Sequence, residues 1–337
     1  MFNVQKLNRR ELLARLCLLV AGAVLNISPS NSIAGNRKNS RLVTISHPQA
    51  TDGTGGKDNV NLNDDVVKLM VDEGIKAFTG KNNLVDAWSA IIPDPDKRVA
   101  IKVNCKIEGI YTKAKVVKPI TDGLIQYGVN PDNIIIYDAT ENAFAYAGFI
   151  KNSGPGIKVG EVYPDFGGYH ASLFNRTAKL LTGGYIFFES PYRCDYLINV
   201  PVLKAMDSFA GVTLSMKNHY GSIDNPQTHH EDIMTYIPYL NSLPFIREKT
   251  RLIVLDGIFI NYRWVNGRDQ SYVDILNKLL ISDDPVAVDY VGWKIIEKKR
   301  QEHGLHPVSP EPVYIQNAAN KGLGTINPSQ INLNLGS

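Results

Sequence analysis

Strand-like and helix-like hydrophobic patterns alternate along this chain. Leu42-Val-Thr-Ile-Ser46 is short, apolar and β-branched, and reads as a strand. Between Asp64 and Phe78 the apolar positions Val67, Met70, Val71, Ile75 and Phe78 recur at helical spacing, and Gly80 offers a stop. Val99-Ala-Ile-Lys-Val103 returns to strand, and a helix through Ile120, Leu124 and Ile125 ends near Gly128. Asn133-Ile-Ile-Ile-Tyr137 is the clearest buried strand; Tyr196-Leu-Ile-Asn-Val200 and Leu252-Ile-Val-Leu255 are two more. The last strong helix runs from Asp284-Pro285 to about Glu302. Asp284 is its N-cap, and Pro285 takes the first helical position, where a missing N–H costs nothing.

Buried strands alternating with helices predict an α/β fold, a mainly parallel sheet covered by helices. Tight hairpin signals are scarce, Asn266-Gly267 being the exception. The Gly-rich stretch from Ser153 to Gly168 marks either a boundary between two intimate lobes or a surface excursion. The tail from Thr325 to Ser337 is mostly polar; it is expected to cover an edge and is assigned no element.

The first residues read as an address. Asn8-Arg9-Arg10-Glu11-Leu12-Leu13 resembles a twin-arginine export signal, followed by an uncharged apolar run from Leu16 to Leu25 and by Ser32-Ile33-Ala34, a small-x-small cleavage pattern. The run is shorter than the roughly 20 residues of a membrane-spanning helix. The expectation is a signal over residues 1–34, cleavage near Ala34, export to the periplasm by the twin-arginine translocation machinery, and one α/β domain over 35–337; the alternative is an uncleaved anchor.

That division changes the electrostatics. The whole chain has 36 basic and 33 acidic residues, a net +3. The leader holds Lys6, Arg9, Arg10 and Arg15 against Glu11, which leaves 32 of each sign and no basic footprint for nucleic acid. Of three cysteines, Cys105 and Cys194 lie beyond the leader. They are too few for a four-cysteine iron–sulfur cluster or a cysteine-only zinc site within the chain. Two buried thiols are expected, with a disulfide in an oxidising compartment as the alternative.

Chemistry gathers where strands end. Val99–Val103 runs into Asn104, Ile134–Tyr137 into Asp138, Tyr196–Leu203 into Lys204, Leu252–Leu255 into Asp256, and Leu279–Ser282 into Asp283 and Asp284. Ligands bind outside the carboxyl ends of strands in open parallel sheets, so five such ends predict one polar crevice. Asp and Asn also follow strands because they start turns and cap helices, but capping does not account for the lysines. Thr51-Asp-Gly-Thr-Gly-Gly-Lys57 lacks the order of a P-loop, since Asp58 follows the lysine, and is a candidate lid.

The densest polar cluster is Gly211-Val-Thr-Leu-Ser-Met-Lys-Asn-His-Tyr-Gly221, preceded by Asp195-Tyr-Leu-Ile-Asn-Val-Pro-Val-Leu-Lys204. Together with Lys102-Val-Asn104, His230, Asp256-Gly257 and Ser282-Asp-Asp-Pro-Val-Ala-Val-Asp289, it resembles the domain of unknown function 362 family over roughly Val99 to Gly304. This chain departs from the resemblance at Ala205-Met206, where many relatives place Thr-His, and it lacks the ferredoxin-like cysteine modules of some relatives.

The candidate roles follow from the side chains. Lys102, Asn104, Lys204 and Asn218 are candidates for binding an anionic substrate, with lysines as clamps and amides as orienting groups. His219, His230 and Lys217 are candidates for proton transfer, Lys217 if burial depresses its pKa. His219, His230, Asp256 and Asp283, with Asp289, are a possible mixed site for a divalent metal, although the spacing is not a standard zinc pattern. The leading expectation is an exported enzyme acting on a small anionic molecule. A non-catalytic anion-binding protein and an electron-transfer partner are the alternatives.

Overall fold

The helical spacing between Asp64 and Phe78 becomes a helix with both ends chemically marked. α1 (Asp64–Thr79) begins at Asn63, whose side chain accepts from the Val66 N–H, and stops at Gly80 with φ 70°. The Gly80 N–H returns to Lys76 O at 2.8 Å, closing the left-handed stop that glycine permits. The computed structural model describes residues 39–52, 61–106, 110–139, 144–161, 194–223, 229–265 and 271–336. All of these fall in one unit, Asn36–Ser337. The leader, residues 53–57 of the candidate lid, residues 162–168 of the glycine-rich stretch and Asn266-Gly267 lie outside the described residues.

β1 (Ser40–Ser46) precedes α1, and α2 (Leu84–Ile91), β2 (Val99–Lys102) and α3 (Ala114–Tyr127) follow it. Next come β3 (Ile134–Asp138), β4 (Lys158–Glu161), β5 (Tyr196–Asn199), β6 (Val202–Met206) and β7 (Gly211–Thr213). A single turn, α4 (Ser215–Asn218), leads to α5 (Ile233–Ser242) and α6 (Pro244–Arg247). β8 (Thr250–Asn261), β9 (Val273–Ser282), α7 (Pro285–Glu302), α8 (Tyr314–Asn320) and β10 (Ile331–Gly336) complete the described chain.

These ten strands form one sheet in the order β10-β1-β9-β8-β5-β2-β3-β4, with β6 beside β8 and β7 beside β6. β4, β3, β2, β5 and β8 run parallel, as do β1 and β10. β9 is antiparallel to both its neighbours, and β6 and β7 form a third antiparallel pair. Alternate residues of each strand enter opposite cores. Ile134, Ile136, Leu252 and Val254 pack with α1, α2 and α3, whereas Ile135, Tyr137, Ile253 and Leu255 pack with α7 and α8. Burial on both faces accounts for the continuous apolar runs that mark these strands in the sequence. α7 starts as its cap predicts: the Asp284 carboxylate accepts from Val286 N at 2.9 Å and Ala287 N at 2.8 Å.

Four details differ from the sequence reading. Leu279–Ser282 belongs to β9, whose Ser282 is level with Ile253 near the start of β8, so Asp283 sits at the opposite end of the sheet from the parallel carboxyl ends. Asp256 lies inside β8, because Ile258-Phe259-Ile260 extends the apolar run to Asn261. Tyr196–Leu203 is two strands, divided at Val200-Pro201, where proline lacks the N–H that a ladder needs. The tail covers an edge as expected, but as a strand rather than without an element: β10 is paired in register with β1 from Ser40↔Ile331 to Ile45↔Gly336. Among the described residues no helix is long and apolar enough to cross a membrane.

Candidate functional site

Parallel register brings polar groups to one end of the sheet. Lys102 ends β2 level with Tyr137 of β3 on one side and Asn199 of β5 on the other, and Asp138 is the next residue after Tyr137. The Lys102 ammonium donates to Asp138 Oδ1 at 2.6 Å, to Asn218 Oδ1 at 3.2 Å and to its neighbour's carbonyl, Val103 O. Asp138 is itself held by the N–H groups of Cys105 at 2.6 Å and Ala139 at 2.8 Å. This ion pair is buried on both sides, with side-chain exposures of 1% and 5%, and a buried pair persists when its remaining donors and acceptors are engaged. Gly221 is packed against it: a Cβ there would lie 2.5 Å from Asp138 Oδ1 and 2.6 Å from Lys102 Nζ.

A directional chain of amides extends from this pair. Asn218 Oδ1 also accepts from Asn104 Nδ2 at 2.9 Å, while Asn218 Nδ2 donates to Asn199 Oδ1 at 2.7 Å. Asn199 Nδ2 in turn donates to Ser215 O at 2.9 Å and lies 3.3 Å from His219 Nε2. His219 therefore accepts at Nε2 and carries its proton at Nδ1. Burial, with the Lys102 charge, lowers its pKa to about 3, so the ring is neutral.

The lysines singled out in the sequence share a pocket of about 350 Å³. Lys102, Lys204 and Lys217 line it with Lys106, Asn104, Asp138 and Asn218, and an aromatic wall of Phe209, Tyr220, His230 and Trp264 faces them. Lys204, on β6, has Asn104 Oδ1 as its acceptor at 2.7 Å. Burial lowers its amine to about 7; Asp138 pulls upward and the Lys217 charge pushes further down. Lys217, in the α4 turn, packs 5.6 Å from the centre of the Phe209 ring. Burial, with Lys106, lowers it to about 8. No described carboxylate forms an ion pair with either amine. His230 stacks between Phe209 and Tyr220, with centroids 4.6 and 5.9 Å away, and burial with Lys217 and Lys106 lowers its pKa.

Other sequence candidates do not meet here. His219 is buried behind Asn199, outside the pocket lining. Asp256 accepts from the N–H groups of Lys113 and Ile258 at 3.2 Å each and does not line the pocket. Asp283 is at the far end of the sheet. His219, His230, Asp256 and Asp283 thus do not converge, and no three His, Cys, Asp or Glu side chains among the described residues are grouped to hold a metal ion. Asp289 instead holds the turn carrying Lys217: it accepts from Ser215 N at 2.7 Å, Met216 N at 3.2 Å, the Ser215 hydroxyl and Tyr314 Oη at 3.1 Å. Burial pushes its carboxyl up to about 7 against the pull of these donors. Cys105 and Cys194 are buried free thiols.

The sequence reading left Asn199, Thr213, Phe209, Tyr220 and Trp264 out of the site. Asn199 carried a usable signal, an amide inside the apolar run Tyr196-Leu-Ile-Asn-Val200. Thr213 lies across the β6–β7 pair from Lys204, and its buried hydroxyl has no hydrogen-bond partner among the described residues.

No curated protein matches the chain. The family model described as domain of unknown function (DUF362) matches residues 99–294, from the start of β2 into α7. That span is more than half of the chain and contains every residue of the pocket lining, and the protein belongs to this family.

Proposed function

We propose that the pocket binds a small organic anion and that the protein is an enzyme acting on it. The observation that carries this reading is the pair Lys204 and Lys217, two buried amines in one pocket with no described carboxylate bonded to either. Two positive charges taken out of water repel each other, and an anion bound at Lys217 relieves that repulsion. Lys217 holds the anion, because its nitrogen has no hydrogen-bond acceptor among the described residues. Lys102 is engaged by Asp138 and Asn218, so its part is to fix the amides rather than to clamp substrate. Proton transfer falls to His230 rather than to His219, since His230 lines the pocket. An amine lowered to about 7 by burial can give up and take back a proton inside the pocket, which supports turnover.

Calorimetric titration with phosphate, acetate, lactate and oxalate tests the reading. At least one anion binds, and Lys217→Met weakens it about tenfold, the loss of one charge-assisted hydrogen bond. If Lys217→Met leaves every affinity in the panel unchanged, the reading fails.

The protein acts, in this proposal, after export by the twin-arginine translocation machinery. Asn8-Arg9-Arg10 and the apolar run to Leu25 support that placement. Mature protein from the periplasm begins close to Gly35, and replacing Arg9 and Arg10 by Lys blocks export; an intact N-terminus in the cytoplasm contradicts it.

A further inference from the structure

The three pocket lysines differ in how much of each nitrogen is already engaged. Lys102 directs its three N–H bonds at Asp138, Asn218 and Val103 O, which is all an ammonium has. Lys204 is 1% exposed and has one acceptor among the described residues, Asn104 Oδ1. That acceptor is an amide oxygen, which suits a neutral amine as well as an ammonium. Its orientation is fixed, because Asn104 Nδ2 is committed to Asn218 Oδ1. Directly across the β6–β7 pair, Thr213 is 6% exposed and lines the same pocket with its unpartnered hydroxyl. An amine with one hydrogen bond, a hydroxyl awaiting an acceptor and a second cation in the same pocket match the parts of nucleophilic amine catalysis.

We propose that Lys204 is a nucleophile that forms an iminium with the carbonyl carbon of a carboxylate-bearing carbonyl compound, a 2-oxo acid being the simplest member. The inference rests on the anionic-substrate reading above and narrows its substrate class. Lys217 holds the carboxylate. The Lys204 lone pair forms the C–N bond while the C=O π pair moves to oxygen. A proton passes from nitrogen to that oxygen, giving a carbinolamine to which the Thr213 hydroxyl donates. The carbinolamine hydroxyl takes one proton from solvent and leaves as water as the nitrogen pair closes the C=N bond. Amine, carbonyl compound and one proton become iminium and water, and nothing is oxidised or reduced. The lowering of Lys204 to about 7 serves the first step, since the attacking form is the neutral amine.

The test incubates the folded protein with pyruvate and sodium cyanoborohydride and maps the reduced adduct by peptide mass spectrometry. The adduct appears on Lys204 and is lost in Lys204→Met. Lys204→Gln, which keeps a donor for Asn104, gives the same loss should the Met variant fold poorly. Thr213→Val slows adduct formation. Lys217→Met lowers the adduct yield about tenfold at limiting pyruvate. Lactate, which replaces the carbonyl by a hydroxyl, competes and forms no adduct. Equal labelling of other lysines, or an undiminished yield without Lys204, overturns the proposal. Lys217-dependent binding of pyruvate and lactate with no adduct on Lys204 overturns it while the anion reading stands. If neither carboxylate binds, this inference falls, and the anion titration above decides the broader reading on its own.

Discussion

Asn104 Oδ1 accepts the Lys204 N–H at 2.7 Å, joining the loop after β2 to β6 through an amide rather than a carboxylate. The isosteric change Asn104→Asp supplies the missing negative charge. It holds Lys204 as an ammonium and neutralises the charge an anion would meet. It also removes the donor to Asn218, costing about 1–3 kcal/mol. Anion affinity falls about tenfold or more, measured by calorimetry beside a denaturation curve that confirms folding.

Removing the buried amine has a pH signature. The folded pKa of Lys204, about 7, lies below its ordinary 10.5, so between these values the unfolded chain binds more protons and wild-type stability rises with pH. Below about 7 the full cost of burying the charge applies, on the order of 5 kcal/mol at most. Lys204→Met lacks that cost. Its stability advantage is therefore greatest near pH 6 and shrinks towards pH 10 in urea titrations. An advantage that grows with pH contradicts the assignment. Lys217 is present in both proteins, and its repulsion with Lys204, lost in the variant, adds to the low-pH advantage.

Gly221 has no room for a methyl group. Gly221→Ala forces Lys102 and Asp138 aside, with an overpacking cost of about 1–3 kcal/mol. Asp138→Asn leaves the Lys102 charge buried without its partner and costs about 3–5 kcal/mol. Combining the two gives less than the sum, because both act on the same pair. Additive losses in a double-mutant cycle would separate Gly221 from the ion pair.

Asp289→Ala removes the acceptor shared by Ser215, Met216 and Tyr314. Each buried donor left unpaired costs about 1–3 kcal/mol. Asp289 does not line the pocket, yet the turn it holds carries Lys217, so anion affinity drops along with stability. Asp289→Asn keeps an oxygen for one backbone donor and falls between wild type and Ala in both measurements.

The sequence showed the fold wherever one residue type had one physical reason to be there. The helical spacing of α1, the Asp284-Pro285 start of α7 and the runs of β2, β3 and β5 all carry local signals. Strand direction does not. Leu279–Ser282 is as apolar as its parallel neighbours, and its antiparallel pairing with β8 is decided by chain connection, which is why Asp283 was misplaced. Lys102, Asn104, Lys204, Lys217 and Asn218 were legible as polar residues in apolar runs, His230 through the family resemblance, and all six line the pocket. His219 was legible beside Lys217 and Asn218 but turns into the amide chain, a choice set by the turn after α4. Phe209 and Trp264 reach the pocket only through tertiary packing, and a lone aromatic leaves no pattern in sequence. The missed β10 did leave one, the alternation of Ile331-Asn-Leu-Asn-Leu335.

The pairing of β10 with β1 sets an order for folding. Ser40 and Ile331 are in register although nearly the whole described chain lies between them. During synthesis β1 presents an unpaired edge until the last strand emerges, and a contact of such long sequence separation is among the slowest to form. Until β10 docks, β1 is the outermost strand on that side of the sheet; afterwards β10 takes its place. A translocation route that accepts folded chains would deliver it with β1 already covered by β10.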